Sequence, residues 1–246
     1  QSYKNFEFII IDDINKKNIS DFLRNLALND KRVNLIINNS NIGLTKSLIK
    51  GIKIAKGKYI ARQDVDDYSD LNRLDKQVYF LQNNKDTVLL GTNYKVENNE
   101  YDFKFYELPT HNLDIINNFL ISNPICHTSA MFVKTAYFEA GGYNSNFLYA
   151  QDFELWPRLG KLGNIANLSD FLVVRCINKN NVSMKINVAL YQIYVGLHVR
   201  FRERKSFQNR YFYIIVLTIA IRHLIIFSLV KIKSIYMTLM NFKSKN

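Results

Sequence analysis

The stretch Lys58-Tyr59-Ile60-Ala61-Arg62-Gln63-Asp64-Val65-Asp66-Asp67 is the one from which the rest of the chain is read. Tyr59-Ile60-Ala61 is a short apolar run, suited to the end of a buried strand. It leads straight into the carboxylates Asp64, Asp66 and Asp67. Like charges this close repel unless something cationic sits among them. Hard cations such as Mg²⁺ and Mn²⁺ take oxygen ligands, and Mg²⁺ usually combines one or two carboxylates with substrate phosphates. The carboxyl ends of strands are also where open α/β sheets bind ligands. Taken alone, a D-x-D-D turn is equally a solvated acidic loop, so its surroundings decide.

Upstream, Phe6-Glu7-Phe8-Ile9-Ile10-Ile11 is an aromatic and β-branched run, too apolar for a one-sided strand, which reads as a central parallel strand. It ends at Asp12-Asp13. Ile19, Phe22, Leu23 and Leu26 recur at helical spacing, with Asn18 or Ser20 as N-cap. Val33 to Ile37 is a second strand, closed by the turn-rich Asn38-Asn39-Ser40-Asn41-Ile42-Gly43. Leu44, Leu48, Ile52 and Ala55 mark a second helix, with Gly57 as its C-cap. The order β-α-β-α-β predicts an α/β fold with a mostly parallel sheet covered by helices. Each strand ends in Asp or Asn, so three polar loops share one rim.

Downstream, Leu71, Leu74, Val78 and Leu81 predict a helix, and Val88 to Thr92 a strand. Residues 94–108 read as an edge hairpin or flap. Asn112 to Ile121 reads as helical, Thr128 to Val133 as a strand, and Gly141-Gly142 as a turn. Gln151 to Leu159 begins a helix whose start Pro157 makes irregular or late. Ile165 to Leu168 and Phe171 to Val174 read as two short strands.

The chain has 246 residues, nearly half of them apolar, enough for one sizeable domain and an appendage. Two cysteines, Cys126 and Cys176, make neither a disulfide framework nor a zinc pattern. The net charge of +12 is unevenly placed. Residues 1–170 hold 20 Lys/Arg and 20 Asp/Glu; residues 171–246 hold 13 Lys/Arg and one acid, Glu203. The neutral part is an ordinary globular domain, and the basic part needs its own explanation.

The ordered set Asp12-Asp13, Asn41-Ile42-Gly43-Leu44, Gly57 to Asp67, Leu71-Asn72-Arg73-Leu74, Asn123-Pro124-Ile125-Cys126-His127, Gly141-Gly142-Tyr143 and Tyr149-Ala150-Gln151-Asp152-Phe153-Glu154-Leu155-Trp156, closed by Arg175 and Ser183, resembles the family 2 glycosyltransferases of GT-A fold over roughly residues 1–183. The resemblance implies an inverting transfer from a nucleotide diphosphate sugar, aided by Mg²⁺ or Mn²⁺. Carried over residue by residue, Asp12 or Asp13 meets the nucleotide base or ribose, with helix-dipole pairing as the alternative. Asn41 joins them on the donor side. Asp64 (the first acid of the D-x-D pair) reaches the ribose or sugar. Asp66 holds the metal, and Asp67 either assists or supports the loop. Arg62 lies near phosphate or sugar, or forms a surface ion pair. Asp152 is the base that takes the acceptor's proton, or the cap of its helix, or both. Gln151 stands where the family often has Glu. Trp156 is acceptor-side or core. His127 is acceptor-side or a structural histidine. Arg175 contacts the diphosphate, although Val174 replaces the family's usual Tyr. The family's opening strand and helix would precede Gln1, so the chain reads as a fragment.

Residues 184–246 read as a basic, apolar helical tail. Tyr211 to Val230 is long enough to span a bilayer, but Arg222 within it costs roughly 2.5–3.5 kcal/mol on insertion scales. An interfacial helix on an anionic membrane fits better, with packing on the domain as the alternative. Nucleic acid is a poor fit, because the bases alternate with long aliphatic runs. The expectation is a transferase on the cytoplasmic side of a membrane, adding a sugar to a cell-surface glycan or lipid-linked acceptor. The rivals are another nucleotide-metal transferase and an inactive fragment that only binds membrane or a partner.

Overall fold

A computed structural model of the chain describes residues 1–14, 16–99, 102–176, 186–204, 216–218 and 221. Strand β1 (Phe8–Asp12) leads through helix α1 (Lys17–Asn29) to β2 (Val33–Ile37), and α2 (Leu44–Ile54) leads to β3 (Tyr59–Ala61). A two-residue strand β4 (Tyr68–Ser69) precedes α3 (Arg73–Asn83). The hairpin β5 (Thr87–Asn99) and β6 (Asp102–Tyr106) follows, then α4 (Asn112–Asn118), β7 (Met131–Val133) and α5 (Lys134–Glu139). Helix α6 (Gln151–Leu159), strand β8 (Asn164–Cys176) and helix α7 (Ile186–Arg202) complete it.

The α/β class stands, but the strand pairing is mixed rather than mostly parallel. β1 and β2 form a parallel pair of their own. The larger sheet runs β3-β7-β5-β8-β4, with β6 on β5. In it only β5 and β8 pair in parallel; the other pairings are antiparallel. The cause is β7, which returns from the far side of the chain and inserts between β3 and β5. Apolar periodicity reports burial, not strand direction.

Local corrections have local causes. Ser20 does not cap α1, whose cap is Lys16; its hydroxyl donates to Asp12 at 2.5 Å from inside the helix. α2 ends at Ala55, whose N–H reaches Gly51 and Ile52 carbonyls, so Gly57 lies beyond it. Gly43, before α2, has φ +85°, a conformation that favours glycine. α6 is not delayed by Pro157, which sits inside it. The irregularity falls earlier, at Ala150, a left-handed non-glycine residue at φ 54°. Such a residue costs roughly 1–2 kcal/mol, and strain of this kind gathers at functional sites.

The core lies where β5, β7 and β8 meet α4 and α6. Leu89, Ile115, Leu155, Trp156 and Leu159 are fully buried there. α7 joins the same core through Val195 and Val199. Arg200 donates from Nε to the carbonyls of Phe119 and Leu120 at 3.1 and 2.8 Å, satisfying the frayed end of α4. The buried Glu154 of α6 is paired with Arg158 and with Arg202 of α7, both at 2.5 Å. Glu203 in turn takes Arg202 and Lys161 at 2.7 Å. Helix α7, beyond the expected boundary at 183/184, therefore packs with the domain. Arg200 and Arg202 thus bind the α4 and α6 side of this interface. No helix of the described residues is long and apolar enough to cross a membrane. Ser183 and almost all of 205–246 lie outside the described residues; Val216 within that span is buried in the core.

Candidate active site

The aspartate loop is fixed from beneath by polar side chains. Arg73, 2% exposed, donates to the Arg62 carbonyl at 2.7 Å, to Gln63 Oε1 at 2.8 Å and to Ser69 Oγ at 2.9 Å. Its Nε reaches Gln77 Oε1 at 3.0 Å. Gln63 Nε2 then donates to the carbonyls of Asp64 and Asp67 at 3.0 and 2.8 Å. Burial pulls the Arg73 guanidinium down to about 10, with the charge of Arg62 acting in the same direction. It is still a cation at neutral pH.

Above this base the three carboxylates have three fates. Asp64 is paired with Arg62, and its N–H donates to Thr128 Oγ1 at 3.0 Å. Asp67 is half-buried and accepts from the Cys176 N–H at 3.0 Å, tying the loop to the end of β8. Burial raises its pKa, and the charges of Asp64 and Asp66 add to the rise. Asp66 is exposed and accepts no hydrogen bond from the described residues. Among the described residues no three His, Cys, Asp or Glu side chains converge to hold a metal alone. A divalent cation still fits here, because Mg²⁺ needs only one or two carboxylates when phosphate and water complete its shell. Asp66 is the carboxylate left available for it.

Arg62 is 6% exposed, and while Nη2 binds Asp64, its Nε and Nη1 meet no acceptor. Buried polar groups are nearly always satisfied, so two orphaned N–H groups on a buried cation suit an anion. Asp64 pairs with this cation, whose charge reaches Asp152, His127 and Tyr143.

Asp152 stands in the first turn of α6, where backbone N–H groups favour a carboxylate. Burial raises its pKa; the Phe153 N–H, Asn123 and Arg62 oppose that rise. Asn123 donates to Asp152 Oδ2 at 2.8 Å. His127 shares a hydrogen bond of 2.9 Å with the Tyr143 hydroxyl. Burial, and then the charges of Arg62 and Arg175, hold its pKa well below that of a free imidazole, so it is neutral. Arg175 lies over the Tyr94 ring at 5.6 Å.

Other candidates are held by their own surroundings. Trp156 takes the core position, one of its two readings. It is 0% exposed and packs against His127, Phe132 and Tyr143. Asp12 is 4% exposed, with Ser20 and the Ile14 N–H on its oxygens. Asp13 accepts from Asn38, Ile42 and Gly43 at 2.8, 2.9 and 2.8 Å, so it pins the loop after β2. Burial would raise its pKa, but these hydrogen bonds outweigh it and lower it. Of the two, Asp13 is the more open. Asn41 is exposed and turns its own loop by accepting from the Gly43 N–H at 3.1 Å. The sequence gave no role to Arg73, Gln77, Asn123, Thr128 or Tyr143. A signal existed for the first two, since they are polar residues at i and i+4 on the apolar face of α3.

The architecture matches solved glycosyltransferases. Residues 1–349 of S. aureus TarS, solved with UDP-GlcNAc, align with TM-score 0.69 at 16% identity, covering 91% of this chain and 65% of that one. The mannosyltransferase PcManGT of Pyrobaculum calidifontis, solved with GDP-Man and Mn²⁺, aligns with TM-score 0.60 at 12% identity, covering 87% and 59%. The fold is GT-A, a curled sheet flanked by helices.

Residues 1–142 match Glycosyl transferase family 2, and the chain belongs to that family. It is 28% identical over 222 residues to the uncharacterised glycosyltransferase MJ1057 of Methanocaldococcus jannaschii, covering 87% of this chain and 75% of the relative. It is 35% identical over 199 residues to the O-antigen biosynthesis glycosyltransferase WbnJ of Escherichia coli, covering 78% and 76%. It is 32% identical over 165 residues to the amylovoran biosynthesis glycosyltransferase AmsE of Erwinia amylovora, covering 64% of this chain and 62% of the relative.

Proposed function

We propose that the chain transfers a sugar, with inversion, from a nucleotide diphosphate sugar to a hydroxyl of a cell-surface glycan or lipid-linked acceptor. The observation that carries this reading is Arg62, a buried cation of the aspartate loop with two unsatisfied N–H groups, whose charge also reaches Asp152. The diphosphate lies against Arg62, and Asp64 faces the ribose or sugar. Asp152 takes the acceptor's hydroxyl proton. The freed oxygen pair bonds the anomeric carbon, while the carbon–oxygen bond to the diphosphate breaks and its electrons leave with the phosphate. Mg²⁺ or Mn²⁺ bound at Asp66 would supply Lewis-acid neutralisation of that departing charge. The amylovoran and O-antigen biosynthesis roles named for AmsE and WbnJ support a surface polysaccharide as product, and the ligands of TarS and PcManGT support a nucleotide-sugar donor.

The test is calorimetric titration of UDP into the 246-residue chain with and without Mn²⁺, with GDP and dTDP in parallel. Mn²⁺-dependent binding of one nucleotide is expected; a folded sample that binds none overturns the reading. Asp66→Ala is expected to reduce the affinity to its metal-free value, and unchanged metal dependence removes Asp66 from the site.

The membrane association rests on the sequence. Because Val216 belongs to the core, charge removal is a cleaner test than truncation. Each base near an anionic leaflet contributes about 1 kcal/mol. Replacing Lys231, Lys233, Lys243 and Lys245 by Gln is therefore expected to release the protein from anionic vesicles in a sedimentation assay. Undiminished sedimentation would rule these lysines out as the peripheral anchor on the cytoplasmic face.

A further inference from the structure

We infer that Asn123 is the positioning residue for Asp152: its amide fixes the rotation of the carboxylate and holds it ionised for the acceptor hydroxyl. This rests on the proposed role of Asp152 as base.

The argument starts from the amide itself. An Asn side chain has one accepting and one donating end, and only its hydrogen-bond partners tell which way it faces. Here Asn123 Oδ1 accepts from the Ile125 N–H at 3.3 Å. A backbone N–H can only donate, so the oxygen must face Ile125. The NH₂ group is thereby left facing Asp152 Oδ2, at 2.8 Å. The orientation is set by the chain two residues on, before any ligand enters. Pro124, immediately after, restricts the backbone of Asn123 to extended conformations, which removes another way for the amide to swing.

The charged groups acting on Asp152 explain why such a holder matters. Burial favours the protonated carboxyl. Arg62 opposes this from the aspartate loop, and Tyr143 approaches from the Gly141-Gly142 turn as a neutral phenol whose pKa burial raises far above its usual value. Arg62 is also committed to Asp64 and, in the proposed reaction, to the diphosphate. Asn123 is the side-chain donor to Asp152 that no donor ligand would draw away.

The same segment reaches the other half of the site. Four residues after Asn123, His127 meets Tyr143, and Thr128 holds the Asp64 N–H. Asn123 therefore sits on a strap that touches both the aspartate loop and the base.

The test is the titration of the Asp152 carboxyl carbon by ¹³C NMR, with the signal assigned by its loss in Asp152→Asn. Asn123→Leu removes the donor. Asn123→Asp keeps the shape and the acceptor for Ile125 but places a second carboxylate beside the first, guarding against a Leu variant that fails to fold. A hydrogen bond to the ionised form favours that form, so the Asp152 titration is expected to move to higher pH by about one pH unit or more in Asn123→Leu. It should move further in Asn123→Asp, because two adjacent carboxylates resist joint ionisation. UDP affinity in Mn²⁺ should stay within about twofold of the parent. An Asp152 titration unmoved in both variants overturns the inference, as does a loss of UDP affinity in step with the titration, which would make Asn123 a general prop of the site. A parent chain that binds no nucleotide, with the Asp152 titration still governed by Asn123, would instead sink the functional reading alone.

Discussion

Asp152→Asn is expected to lower turnover by about 10²–10⁴-fold, the usual contribution of a general base, with UDP affinity in Mn²⁺ within about twofold of the parent. The substitution is nearly isosteric, and the new amide oxygen can still accept from Asn123. What is lost is the site for the acceptor's proton. The pH dependence should change with it. Because burial raises the Asp152 pKa, the parent's activity should climb with pH above the ordinary carboxylate range, as the base ionises. The variant should lack that limb. Stability should move the other way. A carboxyl whose pKa is higher folded than unfolded binds more protons in the native state, so its contribution is largest at low pH and is lost as pH rises through the folded pKa. At neutral pH the Asn variant is therefore expected to be no less stable than the parent in urea. An active Asn variant would end the role of Asp152 as base.

Arg73→Ala is expected to cost about 3 kcal/mol or more, since it strands the Arg62 carbonyl, Gln63 and Gln77 in a buried setting at roughly 1–3 kcal/mol each. For a chain of this size that corresponds to a fall in Tm of roughly 6–12 °C. Mn²⁺-dependent UDP binding should fail well below the melting point, because Gln63 loses the partner that lets it hold both Asp64 and Asp67. Lys is not expected to rescue it, since an ammonium cannot reproduce the guanidinium's fork of donors. A variant melting within 3 °C of the parent would show that the loop is held elsewhere.

Much of this was legible in the residues. Val33 to Ile37 and the start of α2 read true, as did the 94–108 hairpin, because apolar runs there are bounded by turn residues. β5 and β8 were legible only in pieces. Each is 13 residues long but is broken by polar residues that serve neighbouring loops. Asn93 binds the Ser169 carbonyl and the Leu108 N–H, and Asn167 binds the carbonyls of Pro109 and Pro124. α5 was missed altogether. The carboxylates of the site could be found because acids clustered after a strand are conspicuous. Their holders could not, because Asn123 meets Asp152 from 29 residues away and Arg73 meets Ala130 from 57. For the first part of the tail, a count of bases ignores direction: Arg200 is buried, and Arg202 reaches back to the buried Glu154.

The strap from Asn123 to Thr128 also works as a length gauge. One of its ends touches the base and the other touches the aspartate loop. One added residue lengthens the chain by about 2 Å in the 3-10 turn at His127–Ser129 and by about 3.3 Å where it is extended, comparable with the separation, roughly 3–3.5 Å, of atoms poised to react. The side chains of Asn123 and Thr128 make the two contacts, but the residue count between them sets how far apart they fall: the spacing between the two halves of the chemistry is written in the number of peptide bonds.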